Sequence, residues 1–129
     1  MKIVINKSHS DFSLSHAAIM RYAELSGFKL FVEADKYDDL HYAKVHHDEI
    51  RELKRRDPIP WSVIHSLMFY VHEINRNDLN LVRVVEELGS AANDEWSRLK
   101  IVEIPDDVDW VIKDYDGCEW IAERHRTWS

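Results

Sequence analysis

One cysteine, three prolines and three glycines among 129 residues are a sparse supply of the residues that lock or free a backbone. The lone Cys118 excludes an internal disulfide and every multi-cysteine metal motif, and a reducing compartment is the simplest reading. It sits beside Gly117 as a small strand residue, and its acidic neighbours argue against a nucleophilic role. With glycines only at positions 27, 89 and 117, neither a phosphate-cradling loop nor a dinucleotide fingerprint can be written. No apolar run approaches the roughly 20 residues a membrane helix needs. The opening MKIVINKSHSDFSLS has too short an apolar run for a signal-peptide core, so a cytoplasmic protein is expected.

Positive charge is also in deficit. Seventeen Lys and Arg against 24 Asp and Glu leave a net charge of −7, which argues against direct nucleic-acid binding through counterion release. The one basic run, Lys54-Arg55-Arg56, is interleaved with Asp48, Glu49, Glu52 and Asp57 and reads as a solvated helical face. Much of the acid is concentrated: Glu103, Asp106, Asp107, Asp109, Asp114, Asp116 and Glu119 face a single lysine, Lys113.

What the chain does have is apolar content of 45% with five tryptophans and five tyrosines, enough for one domain over residues 1–129 with a single core. Lys2 to Asn6 reads as a β-branched strand buried on both sides. Ser13 or Ser15 can cap a following helix whose apolar face is Ala18, Ile19, Tyr22, Ala23 and Leu25, closed by Gly27. Phe28 to Ala34 is expected to return as a strand beside the first. Residues 35–61 form a surface excursion with a polar helix around His47 to Arg55, bounded by Pro58 and Pro60. A strand is expected over Leu67 to Ile74. Asp78 is then the N-cap of a helix with Leu81, Val82, Val85 and Leu88 inward and Gly89 as its stop. The ending reads as three strands joined by a Pro-Asp-Asp turn and an Asp-Gly hairpin, with Trp110 and Trp120 inward. The predicted fold is α+β: a mixed sheet of about five to six short strands, with two or three helices mainly on one face.

Three stretches, MKIVINK with FSLS soon after, RNDLNLVRVVEELGSAAN, and LKIVEIPDDVDWVIKDYDGCEWIAERHRTW, resemble a family of small proteins encoded mainly in tailed-phage genomes. The resemblance spans both ends and the middle, about half the chain, and leaves Glu33 to His65 unmatched. Where family members are expected to carry a Cys- or Gly-containing turn after MKIVINK, this chain has Ser8-His9-Ser10-Asp11. The resemblance implies a phage setting, in which small accessory proteins act on host machinery or host immunity. It implies no particular catalytic activity.

The functional expectations follow. The first is non-catalytic binding of a host protein, in host takeover or counter-defence, through Asp106, Asp107, Asp109, Asp114 and Asp116 and the unmatched segment 33–65; such an acidic surface steers toward a basic partner. The second is a small-ligand binder sequestering a nucleotide-type molecule. Here Arg76 and Asn77 would meet an anion at the helix junction, with Arg124, His125 and Arg126 beside aromatic planes. The third is a metal-assisted hydrolase using Asp106, Asp107, Asp109 and a histidine. No cofactor and no metal set is assigned, because the histidines lack ligand spacing and the acids lack a calcium-loop pattern. Ser8, His9, Ser10 and Asp11 are triad types in sequence, but triads assemble from distant segments. Exposed strand edges and many aromatics are compatible with a homo-oligomer.

Overall fold

Ile3, Val4 and Ile5 are stiff at χ1 and favour extended backbone, and they form β1 (Lys2–Asn6) with all three side chains essentially sealed from water. The computed structural model describes residues 1–124. It is an α+β fold. After β1 come α1 (His16–Ser26), β2 (Phe31–Ala34), β3 (Leu40–Ala43), α2 (His47–Leu53), α3 (Trp61–Leu67), α4 (Leu79–Leu88), β4 (Leu99–Glu103), β5 (Trp110–Tyr115) and β6 (Cys118–Glu123). Short 3₁₀ turns occupy Val71–Glu73 and Gly89–Ala92.

Local punctuation falls where its chemistry requires. The Ser15 hydroxyl accepts from the Ala18 N–H, and Gly27 closes α1 at φ 80°. Asp78 Oδ1 accepts from both Asn80 and Leu81 N–H groups, while its Oδ2 accepts from the Tyr22 hydroxyl at 3.1 Å. Burial and that hydrogen bond raise the Tyr22 pKa. Asp78→Ala is therefore expected to cost about 1–2 kcal/mol of unfolding free energy in a urea titration, since it frees two N–H groups and a buried hydroxyl at once.

Sheet pairing departs from the expected mixed sheet. The six strands form three separate antiparallel ribbons: β1 with β4, β2 with β3, and β5 with β6. Phe28 to Ala34 does not return beside β1. Its strand begins at Phe31 and pairs with β3, from inside the excursion. The C-terminal strands do not form one sheet either, because β4 leaves its neighbours to pair with β1, Lys2 opposite Glu103 through Asn6 opposite Leu99. Leu67 to Ile74 is not a strand. Helix α3 runs to Leu67, a single bridge joins Met68 to Ala43, and a 3₁₀ turn follows. Its apolar alternation reflects an extended crossing beside the core, where Phe69 and Val71 pack, and not a ladder.

The core joins Val4, Leu14, Tyr22, Leu30, Ile74, Leu81, Val84 and Val85, with α4 against β1 and β4 and α1 against α4. Val84 is fully buried, one more inward residue on α4 than the spacing predicts. In β5–β6 the register sets Trp110 opposite Glu123 and Lys113 opposite Trp120. The two indoles stand on opposite faces of the ribbon, so they cannot both turn inward. Trp110 is half-buried and Trp120 is exposed.

Candidate functional site

The predicted anion site at the α4 junction is occupied by the protein itself. Arg76 Nη1 and Nη2 donate to the two carboxylate oxygens of Glu119 at 2.6 and 2.9 Å, and its guanidinium lies 3.6 Å above the Phe12 ring. The same Nη1 reaches the Val4 carbonyl at 3.3 Å. Both Nη groups are bonded to Glu119 or Val4 and Phe12 covers a face of the guanidinium, so the anion that Arg76 holds is Glu119. Glu119, counted with the solvated acids from its sequence context, is the exception among them: it is buried.

This pair stands where a strand would otherwise lie. The N–H groups of Val4 and Asn6 point away from β4, and they donate to the Arg76 carbonyl at 2.8 Å and to Glu119 Oε1 at 2.7 Å. Lys7 Nζ adds a bond to the Glu119 carbonyl at 3.0 Å. The clasp fastens the β5–β6 hairpin onto the free edge of β1. At the hairpin tip Asp116 and Gly117 both have positive φ, 51° and 88°, and Gly117 presses on the backbone of Ser10.

The other predicted ligand residues are dispersed. Asn77 is exposed, 4.0 Å from the Met1 sulfur. Arg124 lies 3.7 Å from Asp109 at the far end of β6 from Glu119, roughly 16 Å of extended chain away. His125 and Arg126 lie outside the described residues. The acids Asp106, Asp107, Asp109, Asp114 and Asp116 are all exposed. Asp106 meets the Met1 amino group at 2.6 Å, Asp109 faces Arg124, and Asp114 Oδ2 accepts from the Gly117 N–H at 3.3 Å. Among the described residues no three His, Cys, Asp or Glu side chains converge as a metal set. His9 Nδ1 donates to the Asp116 carbonyl at 3.2 Å and the ring packs edge-on to Tyr115, with no nucleophile-base pair in the Ser8 to Asp11 loop.

A cleft of ≈ 510 Å³ opens instead where the excursion meets its flanking segments, between the β2–β3 ribbon and helices α2 and α3. That volume lies in the range of about 300–1,000 Å³ typical of ligand and anchor pockets. Its apolar floor is Ile50, Ile64 and Met68, the first two buried and each the single buried residue of its short helix. Trp61 opens α3 directly after Pro60 and stands on the rim, 60% exposed. His65 stacks on Tyr70 at 4.8 Å, and Tyr70 on His72 at 5.4 Å, which gives a flat aromatic wall.

The rim charges are largely spent on holding the lobe together. Arg51 Nη1 bonds both Glu33 oxygens at 2.7 and 3.0 Å, and its Nη2 bonds Asp48 at 2.6 Å. Asp48 and then Glu33 hold the Arg51 pKa above its ordinary value. Asp35 accepts from His41 Nε2 at 2.8 Å and from the N–H groups of Tyr37 and Asp39, and these bonds hold its carboxyl below the usual range. His47 Nε2 donates to the Phe31 carbonyl at 2.8 Å, tying α2 to β2. Lys54 lines the cleft and makes no ion pair among the described residues.

Comparison of this chain with protein-family models, with curated proteins and with solved structures returns no match. The cleft residues Arg51, Lys54, Trp61, Ile64, His65 and Tyr70 were not marked as a site by the sequence, which indicated only the segment that holds most of them. The available signal was a tryptophan placed immediately after a proline boundary, at the end of a charged segment.

Proposed function

We propose that this chain is a phage-type accessory protein that acts in the host cytoplasm by non-catalytic binding of a host protein, with the partner seated on the lobe formed by residues 31–67. The observation that carries this reading is Trp61, whose indole stays 60% exposed above a cleft with an apolar floor. An exposed tryptophan at the mouth of a pocket is the residue type that dominates binding energy at protein interfaces. Val32, Tyr37, Leu40 and Val63 add exposed apolar surface on the same lobe. No helix of the described residues is long and apolar enough to cross a membrane.

The exposed acids Asp106, Asp107, Asp109, Asp114 and Asp116 have a separate role in this reading, that of attracting a basic surface over distance. The two parts make different kinetic predictions. Trp61→Ser is expected to speed dissociation by about tenfold or more, the loss of a buried anchor. The pair Asp107→Lys with Asp109→Lys is expected to slow association and flatten its salt dependence while leaving dissociation alone. The measurement is surface-binding kinetics on the host protein captured by the wild-type chain from lysate. Failure of the wild type to capture anything, or a Trp61→Ser variant that dissociates at the wild-type rate, would remove the proposal.

Lys54 and the aromatic wall of His65 and Tyr70 favour a second reading, in which the cleft sequesters a nucleotide-type small molecule. Thermal melting with adenosine monophosphate should then show a rise that Lys54→Ala abolishes. The absence of a rise at millimolar nucleotide would leave the protein-binding reading alone.

A further inference from the structure

We propose that the outer edge of β2 receives an extended segment of the partner as an added antiparallel strand, apolar at alternate positions and acidic at its flanks. This deepens the protein-binding reading and rests on it. The parity of the ribbon carries the argument. The Phe69 N–H donates to the Tyr42 carbonyl at 2.8 Å and the Lys44 N–H to the Leu67 carbonyl at 2.7 Å. The main-chain carbonyl of Tyr42 thus faces residues 67–69 and turns its back on β2. Val32 is registered opposite Tyr42, so the two form a non-hydrogen-bonded pair, and the N–H and C=O of Val32 point outward. Two residues on, Ala34 repeats this. The bond from the Asp35 N–H to the Asp39 carbonyl, 2.9 Å, fixes the intervening parity. Among the described residues no group bonds these four outward groups of Val32 and Ala34.

Two donors and two acceptors in one row, at strand spacing, are complementary to another extended main chain and to little else. The side chains sharpen the choice. On one face of the ribbon Val32, Ala34 and Leu40 are all exposed, Val32 by 37% and Leu40 by 42%, so a strand laid beside them buries apolar residues set two apart. Lys29 and Lys36 flank the edge, stacked on Phe31 and Tyr37 at 5.0 Å each, and neither makes an ion pair among the described residues. They complement acids at the ends of the incoming segment. The charge of Glu33 between the two lysines is offset in part by Arg51, which bonds both of its oxygens and is shared with Asp48. Glu33 and Ala34 also line the cleft, so a chain paired to β2 runs along the rim that Trp61 overlooks.

A second copy of this chain is the less favoured occupant. The antiparallel register that engages both Val32 and Ala34 of each copy sets the two Glu33 residues directly opposite one another, an arrangement of like side chains that sheets avoid.

The experiment uses the full chain, ¹⁵N-labelled, with three synthetic peptides. One alternates threonine and valine with two aspartates at each end; the second has lysines for the aspartates; the third repeats the first with N-methylated valines. The aspartate peptide is expected to bind and to slow amide hydrogen exchange at Val32 and Ala34, two amides with no partner among the described residues. N-methylation is expected to weaken it by about tenfold or more, since it removes the donors that pair with this edge. The lysine peptide should bind more weakly than the aspartate one. Val32→Pro removes an outward N–H and no ladder bond, so it should retain the fold by circular dichroism and lose peptide binding. No binding of the aspartate peptide at millimolar concentration, binding without protection of these two amides, or pairing of β2 with itself in a dimer would each overturn the proposal. A captured host protein released by Trp61→Ser but held normally by Val32→Pro would do so as well, while leaving the lobe as the binding surface.

Discussion

Glu119→Ala should lower the unfolding free energy by about 3–5 kcal/mol, the largest effect of any single change outside the apolar core. The carboxylate and its partner are withdrawn from water, with side-chain exposures of 11% and 19%. Truncation strands the Arg76 guanidinium against Phe12 and leaves the inward N–H of Asn6 without an acceptor. Each unsatisfied buried group adds its own desolvation cost of about 1–3 kcal/mol. Glu119→Gln keeps an acceptor for Asn6 and should lose less. The double change Arg76→Met with Glu119→Met should be milder than the sum of the two single changes, because a removed pair leaves no orphaned charge. Urea titrations of these five variants, the two single Met changes included, test this, and a Glu119→Ala midpoint close to the wild type would show that the hairpin is held by something other than the clasp.

Gly117→Ala should be the next most damaging change, and its comparison with Gly27→Ala isolates the reason. Both glycines have nearly the same φ, 88° and 80°. A Cβ at Gly27 would meet nothing within 4 Å, so only the left-handed backbone is penalised there, at about 1 kcal/mol. A Cβ at Gly117 would lie 2.5 Å from the Ser10 backbone nitrogen and oxygen, atoms that cannot swing aside. The hairpin tip or the loop after β1 must then move, at a cost of about 3 kcal/mol or more. Thermal melts of the two variants should differ accordingly. Equal losses would mean that the Ser10 contact is not part of the stability of the hairpin dock.

These two positions also separate what could be read early from what could not. The Asp116-Gly117 turn was legible because a two-residue hairpin loop needs positive φ at both positions. That the same glycine lies against Ser10 was not, since no local pattern reports a contact with a loop at the other end of the chain. Arg76 was marked as an anion binder from its place before a helix. The anion turned out to be Glu119, 43 residues away. Its burial was masked by the exposed acids around it, although its place on the same ribbon face as Ile112 and Ile121 was a usable sign. Trp120 was misplaced for the converse reason: an aromatic in a strand reads as core, whereas the parity that puts Trp110 on the docked face puts Trp120 on the other.

The cleft illustrates the same limit in a functional setting. Its floor comes from two short helices with one buried residue each, Ile50 and Ile64, too few for any periodic signal. Its wall pairs His65 of α3 with Tyr70 from a stretch read as strand, and the two stack because the chain leaves the helix at Met68. The aspartates Asp106, Asp107, Asp109, Asp114 and Asp116, by contrast, are exposed as expected, because Asp beside Pro and Gly has few alternatives to solvent.

By itself the sequence determined the α+β class, a serine cap at Ser13 or Ser15 and an aspartate cap at Asp78, the stops at Gly27 and Gly89, and the turns at Asp106-Asp107 and Asp116-Gly117. Each of these is settled by atoms within about four residues, so the residue types are sufficient. Tertiary structure alone decided that β1 takes β4 as its neighbour, that an Arg76–Glu119 clasp closes its other edge, and that Val32 and Ala34 turn their backbone N–H and C=O groups to the outer edge of β2. Alternation tells a strand which way to face, but its hydrogen-bonding edge is the same for every partner, and only the packed whole selects one.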